Sequence, residues 1–435
     1  MKLRIASLFC LLFLLVGCSD SKERLKGDRV VLLESHTVLT PDPDAASFNI
    51  ELTEPILNAD WPQLDLSASH LIPHLELGDM KTILWKESVG SGSGSSGFLL
   101  SPPVIQNKVI YTLDAYGLVR AREAKTGKKL WDYSLSSSSF LSGEGFLGGG
   151  IAVDQGRVFI SFSSADVIAL NADDGTLLWK TNVIHSIRSS PTVRDNRVYV
   201  ITKNNKIIAL NTVTGEKIWQ KEGSAESCCL LGGGAPAVDR RVVIAPFSSG
   251  EVYAMKGENG HPLWLESLTA LKTFSSISMM SQIKASPIID RNIVFVVSQS
   301  DRMMALDFKT GGIMWEKNIG SISTPVICGN FAFLVSTNHE VVCLTKETGQ
   351  VVWVTELPKY KTPDDKTDFI KWHGPVLANG KLILSGSNSQ ALVLDALTGK
   401  VQSEISLPGP TLLPPVVANR IIYFLTEGGT LVAMK

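Results

Sequence analysis

Apolar and polar positions along this chain fall into short runs that recur as a group. Between residues 190 and 219 the group is complete. A proline-led apolar run, Ser190-Pro191-Thr192-Val193, is followed by a polar break at Asp195-Asn196 and a second run, Arg197 to Ile201. A third run, Lys206-Ile207-Ile208-Ala209-Leu210, enters a Thr-Gly turn, and Lys217-Ile218-Trp219 closes the group. Four short β-rich runs separated by Asn, Asp and Gly predict a four-stranded antiparallel meander. No stretch between groups carries a long helical period.

The end of the group is its most constant part: a strand end, a Thr-Gly-type turn, and a tryptophan four residues after the glycine. Beside Gly215/Trp219, it recurs at Gly127/Trp131, Gly175/Trp179, Gly260/Trp264, Gly311/Trp315 and Gly349/Trp353. A seventh copy reaches Thr398-Gly399 but has Ser403 in the tryptophan's place, and an eighth stops at Lys435 before its turn. Spacings of roughly 40–50 residues signal a propeller, a solenoid or an array. A lone meander cannot bury both faces, whereas meanders arranged in a ring cover one another and leave few edges. The prediction is an all-β fold, a single eight-bladed propeller. The last blade lacks its fourth strand, and an orphan tryptophan strand, Thr82-Ile83-Leu84-Trp85-Lys86, precedes the first copy. This N-terminal strand is expected to complete the C-terminal blade and close the ring.

A large ring placed once per blade on the last strand reads as packing between blades. Trp85, Trp131, Trp179, Trp219, Trp264, Trp315 and Trp353 are accordingly structural repeat residues. Each Thr-Gly is a turn device, since glycine accepts positive φ.

Composition adds bounds. With 435 residues, 44% of them hydrophobic, the chain can bury a large core, and a net charge of −1 gives no electrostatic case for nucleic acid. The first residues read as a targeting segment. Lys2 and Arg4 precede an apolar run from Ile5 to Val16, too short for an ordinary membrane span, which ends in Leu15-Val16-Gly17-Cys18. That ending matches the lipobox of bacterial lipoprotein signal peptides. It implies cleavage before Cys18 and a lipid on its thiol, and Ser19 leans toward sorting to the outer membrane. The domain reading is a signal peptide at 1–17, a lipid-anchored tether with short ordered patches at 18–80, and the propeller at 81–435. Trp61-Pro62 is one expected docking patch on the propeller.

Candidate chemistry is sparse. His70 and His74 are four apart, but Pro73 lies between them and no carboxylate-flanked helix surrounds them, so they do not read as a metal site. The Gly/Ser run at 90–97 has no Lys-Ser/Thr ending and no following helix, which excludes a P-loop. It resembles the glycine-rich joints at 143–150 and 232–234, which lead into first strands of blades. In such a blade these joints share a rim with the loops between strands two and three, where propellers commonly meet partners. Three joints are long: 223–235, 266–285 and 355–373. Cys10 leaves with the signal peptide; Cys328 and Cys343 fall on strands, Cys343 in a place other copies fill with alanine. The vicinal Cys228-Cys229 pair could close a strained ring in an oxidising compartment.

The repeat, Ala-Leu…Thr-Gly…Trp, resembles the quinoprotein-like β-propeller repeat. Two classes share it: quinoprotein dehydrogenases, which hold pyrroloquinoline quinone and calcium at the ring centre, and the BamB-type lipoproteins of outer-membrane β-barrel assembly, which hold no cofactor. A lipobox leading into one eight-bladed ring resembles the second class. So do Gly27 to Leu33, Asn58 to Gln63 and Trp372 to Ala378. The resemblance implies a non-enzymatic scaffold without cofactor, lipid-anchored at the outer membrane and facing the periplasm. Its rim loops would contact the BamA-type central subunit of the assembly machinery and help deliver unfolded outer-membrane proteins. By position, the matching rim residues here are Cys229, Leu230, Leu231, Gln282 and Lys284, where the better-known form has an arginine and acids. Two other readings share the fold. One is a quinone-dependent dehydrogenase, favoured by the vicinal cysteines but lacking an evident Asp/Asn/Glu set for calcium. The other is a lipoprotein that binds a different envelope ligand by its rim.

Overall fold

A computed structural model of the chain describes residues 39–45, 48–95, 97–135, 148–225, 231–269, 282–363 and 366–435. Eight four-stranded antiparallel sheets follow one another. Blades 1 to 7 occupy 104–134, 149–182, 192–222, 237–267, 288–317, 326–356 and 372–406. In the eighth, three strands spanning 416–434 are joined by the strand Ile83–Ser88, which pairs antiparallel with Thr430–Met434. The N-terminal strand therefore completes the C-terminal blade, and Thr82 and Lys435 exchange both backbone hydrogen bonds beyond the paired strands.

Strand register explains the repeated phrase. In blade 3, Tyr199 lies opposite Ala209, which lies opposite Trp219. The small alanine lets the two rings meet across it, with centroids 5.9 Å apart. The same row is Tyr111, Ala121 and Trp131 in blade 1 and Phe333, Cys343 and Trp353 in blade 6, so Cys343 does substitute for the alanine. A register shift just after the alanine leaves the residue before each tryptophan as the extra one of a bulge. That residue turns outward, and Leu84, Leu130, Leu178, Ile218 and Met314 are exposed on these outermost strands, where the tryptophan is the buried residue.

Each tryptophan also reaches its neighbour. The indole N–H of Trp179 donates to the Thr212 carbonyl of the next blade at 3.0 Å, and Trp131 donates to Ala172 at 2.9 Å. The ring covers the turn glycine beyond. A Cβ on Gly215 would lie 2.6 Å from the Trp179 ring, and one on Gly175 would lie 2.5 Å from Trp131. Glycine is thus required twice there, for its positive φ and for the ring above it. Ser403 follows from the same rule. The fourth strand of blade 8 is the N-terminal Ile83–Ser88, so no Thr-Gly turn leads into it, a tryptophan at 403 would have no glycine to cover, and Val393 stands where the other blades have alanine or cysteine.

The 18–80 segment differs from a tether over its described part. Residues 58–77 form a strap that makes one circuit of the innermost strands. The first strand is hydrogen-bonded by the strap in seven blades, at Ile105, Val153, Val193, Val238, Ile289, Leu377 and Val417. These strands have one edge facing the axis, and its backbone groups need partners once buried. Trp61, Pro62, Ala68, Ser69 and Leu75 supply backbone atoms, and Gln63 and Asn58 supply side-chain amides. In blade 6, Thr53 instead meets the Cys328 thiol at 3.4 Å. The strap changes blade every few residues, so it has no strand or helix period to read.

Candidate functional site

The two faces of the ring differ in kind. The strap lies at the end where first and second strands turn, because turn residues Asn107, Gly380 and Asn419 bond to Asp60, His74 and Asn58. Its polar side chains are committed. His74 Nε2 accepts from the Gly380 N–H, so Nδ1 carries the proton and donates to the Thr53 carbonyl. His70 Nδ1 donates to the Pro287 carbonyl at 2.9 Å, and Thr324 donates to Asp65 at 2.7 Å. Burial pushes His70 below and Asp65 above their usual ranges. Both histidines have structural work.

The joint face carries the residues expected from the sequence. Leu231 is 44% exposed, beside Gly232 at φ +73°. Lys284 is half-buried in the joint leading to blade 5, and a Cβ on Gly232 would lie 4.0 Å from its Cε. Gln282 corrects the expectation of a displayed residue: it is 2% exposed, enclosed in the wall where its carbonyl receives the Gln299 N–H. Cys18, Cys228, Cys229 and Leu230 lie outside the described residues. In the joint at 355–373, two short strands, Tyr360–Thr362 and Thr367–Phe369, pair antiparallel.

Sequence reasoning assigned no role to three basic residues. Arg188 stands three residues before Pro191, as Lys284 stands three before Pro287; Gly233 holds that place in the blade between them. A Cβ on Gly233 would lie 2.6 Å from Arg188 Nε, so the glycine makes room for the guanidinium, which donates to the Pro246 and Ile283 carbonyls. Superimposing the proline-led starts of the copies would have revealed this pair. The other two are Lys371 and His373, ahead of Pro375 in blade 7. Burial and the charges of Lys284 and Lys371 push His373 down to about 3, and burial and Lys371 lower Lys284. His373 is therefore neutral at pH 7.

A ring of eight four-stranded blades with these Thr-Gly/Trp joints defines the class of quinoprotein-like propellers. Among solved structures, BamB from Moraxella catarrhalis superimposes with a TM-score of 0.67 at 19% identity, over 81% of this chain and 100% of that one. A quinohemoprotein alcohol dehydrogenase from Comamonas testosteroni gives 0.66 at 13% identity, over 86% and 80%. Both likenesses show the fold alone. A sequence profile described as "Outer membrane protein assembly factor BamB" matches residues 117–355, and the chain belongs to that family. The protein of that name in Yersinia pestis is 32% identical over 255 residues, 58% of this chain and 65% of that one. The match thus spans slightly under two thirds of the relative's length.

Proposed function

We propose that this chain is a non-enzymatic scaffold for assembling β-barrel proteins into the outer membrane. A lipid on Cys18 anchors it, facing the periplasm. It docks the joint rim, with Leu231 and Lys284 and the neighbouring Cys229 and Leu230, on the central barrel-forming subunit of the machinery. The observation that carries this reading is the family match across 117–355, which includes the joints at 223–235 and 266–285. The strap adds support, since among the described residues it lies on the face opposite the joints.

The quinone-dependent alternative is tested by the donor set. Among the described residues, no three His, Cys, Asp or Glu side chains are grouped to hold a metal ion. Lys284 and Lys371, at the starts of blades 5 and 7, are cations, whereas calcium takes several oxygen ligands. These residues do not fit a calcium-quinone pair.

Affinity capture from detergent-solubilised envelopes tests the scaffold: recovery of an outer-membrane barrel-assembly subunit is expected. Its repeated absence with intact bait in the membrane would move the assignment to another rim ligand. Cys18→Ser should abolish incorporation of radiolabelled palmitate; persistent labelling would refute the anchor.

A further inference from the structure

The turns that join first and second strands lie on the strap face, and three neighbouring ones are rich in arginine. Arg194 and Arg197 flank the turn of blade 3, Arg240 and Arg241 form that of blade 4, and Arg291 opens that of blade 5. Hydrogen bonds tie these turns to one another. Arg240 Nη1 donates to Asn292 Oδ1 at 3.1 Å and Nη2 donates to the Arg291 carbonyl, while the guanidinium lies 4.0 Å over the Phe308 ring of blade 5. The Arg241 carbonyl receives the Gly257 N–H, and the Gly257 carbonyl receives the Tyr199 hydroxyl of blade 3. Arg194, Arg240, Arg241 and Arg291 are exposed. Asp195 and Asp239 pair within the group, with Arg194 at 3.8 Å and Arg240 at 2.9 Å, whereas Arg241 and Arg291 form no ion pair with a described residue.

The strap sharpens this sector. Along blades 3 to 5 it runs from Gln63 to Ser69, and its one acid there, Asp65, is buried and accepts from Thr324. Acids of the strap and its flanks fall elsewhere: Glu51 lies beside Gly329 of blade 6, Glu76 pairs with Arg420 of blade 8, and Asp79 shares a cleft with Asn379 of blade 7. Blade 4 also holds its arginines at a conformational cost. Arg240 and Arg241 have φ of +45° and +63°, where Asn-Gly is the least strained pair. The described chain begins at the end of the sector. Leu39 packs on the core of blades 5 and 6, and Asp42 pairs with Lys317 of blade 5 at 3.0 Å. Residues 19–38 join Leu39 to Cys18, a reach of at most ~70 Å.

We propose that the arginine-bearing turns of blades 3 to 5 form a docking surface for the anionic phospholipid headgroups of the membrane that carries the anchor. The arginines stand on the tips of three successive turns, an array that meets a plane of many phosphates, and each guanidinium fork matches phosphate oxygens. A basic cluster beside an acyl anchor strengthens membrane attachment and, unlike the anchor, fixes which face lies on the lipid. The joint face is then turned away from the membrane. This surface rests on the reading of Cys18 as the anchor.

The test uses the mature chain from residue 18, made without its lipid, and vesicles of phosphatidylglycerol mixed equally with phosphatidylcholine, read by flotation. The mixed vesicles should carry the protein and phosphatidylcholine alone should not. Arg241→Gln and Arg291→Gln should each weaken partition about fivefold, with an unchanged melting temperature showing the fold intact. Arg420→Gln, on the same face at blade 8, should leave partition within about twofold. Equal binding to both vesicles, binding to neither, or an equal loss from Arg420→Gln would overturn the proposal, as would binding of soluble hexaglutamate in place of the vesicles. Palmitate labelling at Cys18 reads the anchor separately. A labelled protein whose unlipidated chain ignores the vesicles keeps the anchor and loses this surface.

Discussion

Trp61 and Ile105 exchange both backbone hydrogen bonds, N–H to carbonyl at 2.7 Å in each direction. The strap thereby adds a one-residue strand to the axis-facing edge of blade 1. At blade 3 a side chain takes over: the Gln63 amide accepts from the Val193 N–H at 2.8 Å and donates to the Val193 carbonyl at 3.2 Å. Gln63→Ala strands both groups in a buried place, and it should destabilise the fold by about 1–3 kcal/mol. Thermal unfolding would show this, and an unchanged transition would mean that the strap merely rests on the ring.

The turn glycines can be separated into their two roles. Gly156 and Gly215 both have φ of +73°, but a Cβ on Gly156 meets nothing within 4 Å, while one on Gly215 strikes the Trp179 ring. Gly156→Ala should therefore cost only the backbone term, about 1 kcal/mol. Gly215→Ala should cost a further ~1–3 kcal/mol from overpacking. Urea midpoints at constant slope would measure the difference, and equal losses would remove the Trp-on-Gly contact as the reason for the phrase.

The closing strand makes a matched comparison possible. Trp85 donates to the Ala124 carbonyl at 3.1 Å and covers Gly127, as Trp219 does for Gly257 and Gly260. Trp85→Ala and Trp219→Ala should each cost ~3–5 kcal/mol, the range for a large buried aromatic. Ser403→Trp should bring no gain. A Trp85→Ala loss confined to a few tenths would show that the N-terminal strand is an ornament of blade 8.

Acid should find His373. Its folded pKa is depressed from 6.5 to about 3 by burial and by Lys284 and Lys371, so the unfolded chain takes up the proton first. The stability it contributes is complete above about pH 6.5 and is lost as pH falls toward 3. His373→Gln should flatten that decline relative to wild type. Melting curves between pH 7 and 4 would reveal it, and parallel profiles would contradict the assignment of a neutral, enclosed imidazole.

The ring was legible because its units repeat. The blade count, the closing strand at Trp85 and the role of the seven tryptophans all follow from a pattern sampled many times. Ser403 was visible as an exception, but its reason needed the absent turn of a neighbouring blade. The strap was illegible for a physical cause: Pro62, Gln63, Ala68 and Ser69 each serve a different strand edge, so no local period records them. The rim was half legible. Leu231 and Lys284 came out on the joint face, whereas Gln282 turned inward, because position in a loop does not fix which way a side chain points. Arg188, Lys371 and His373 were given no role, since their surroundings depend on contacts between blades.

Site-specific photo-cross-linking in intact cells tests the scaffold account most directly. A benzophenone residue would replace Leu231 on the joint face or, as a control, Leu57 just ahead of the strap, both about half exposed. The account predicts cross-links from position 231 to the central barrel-assembly subunit and none from position 57. Cross-links to that subunit from 57 but not from 231 would place the docking face on the wrong side of the ring. None from either position, with the protein folded and in the membrane, would contradict the assembly role itself.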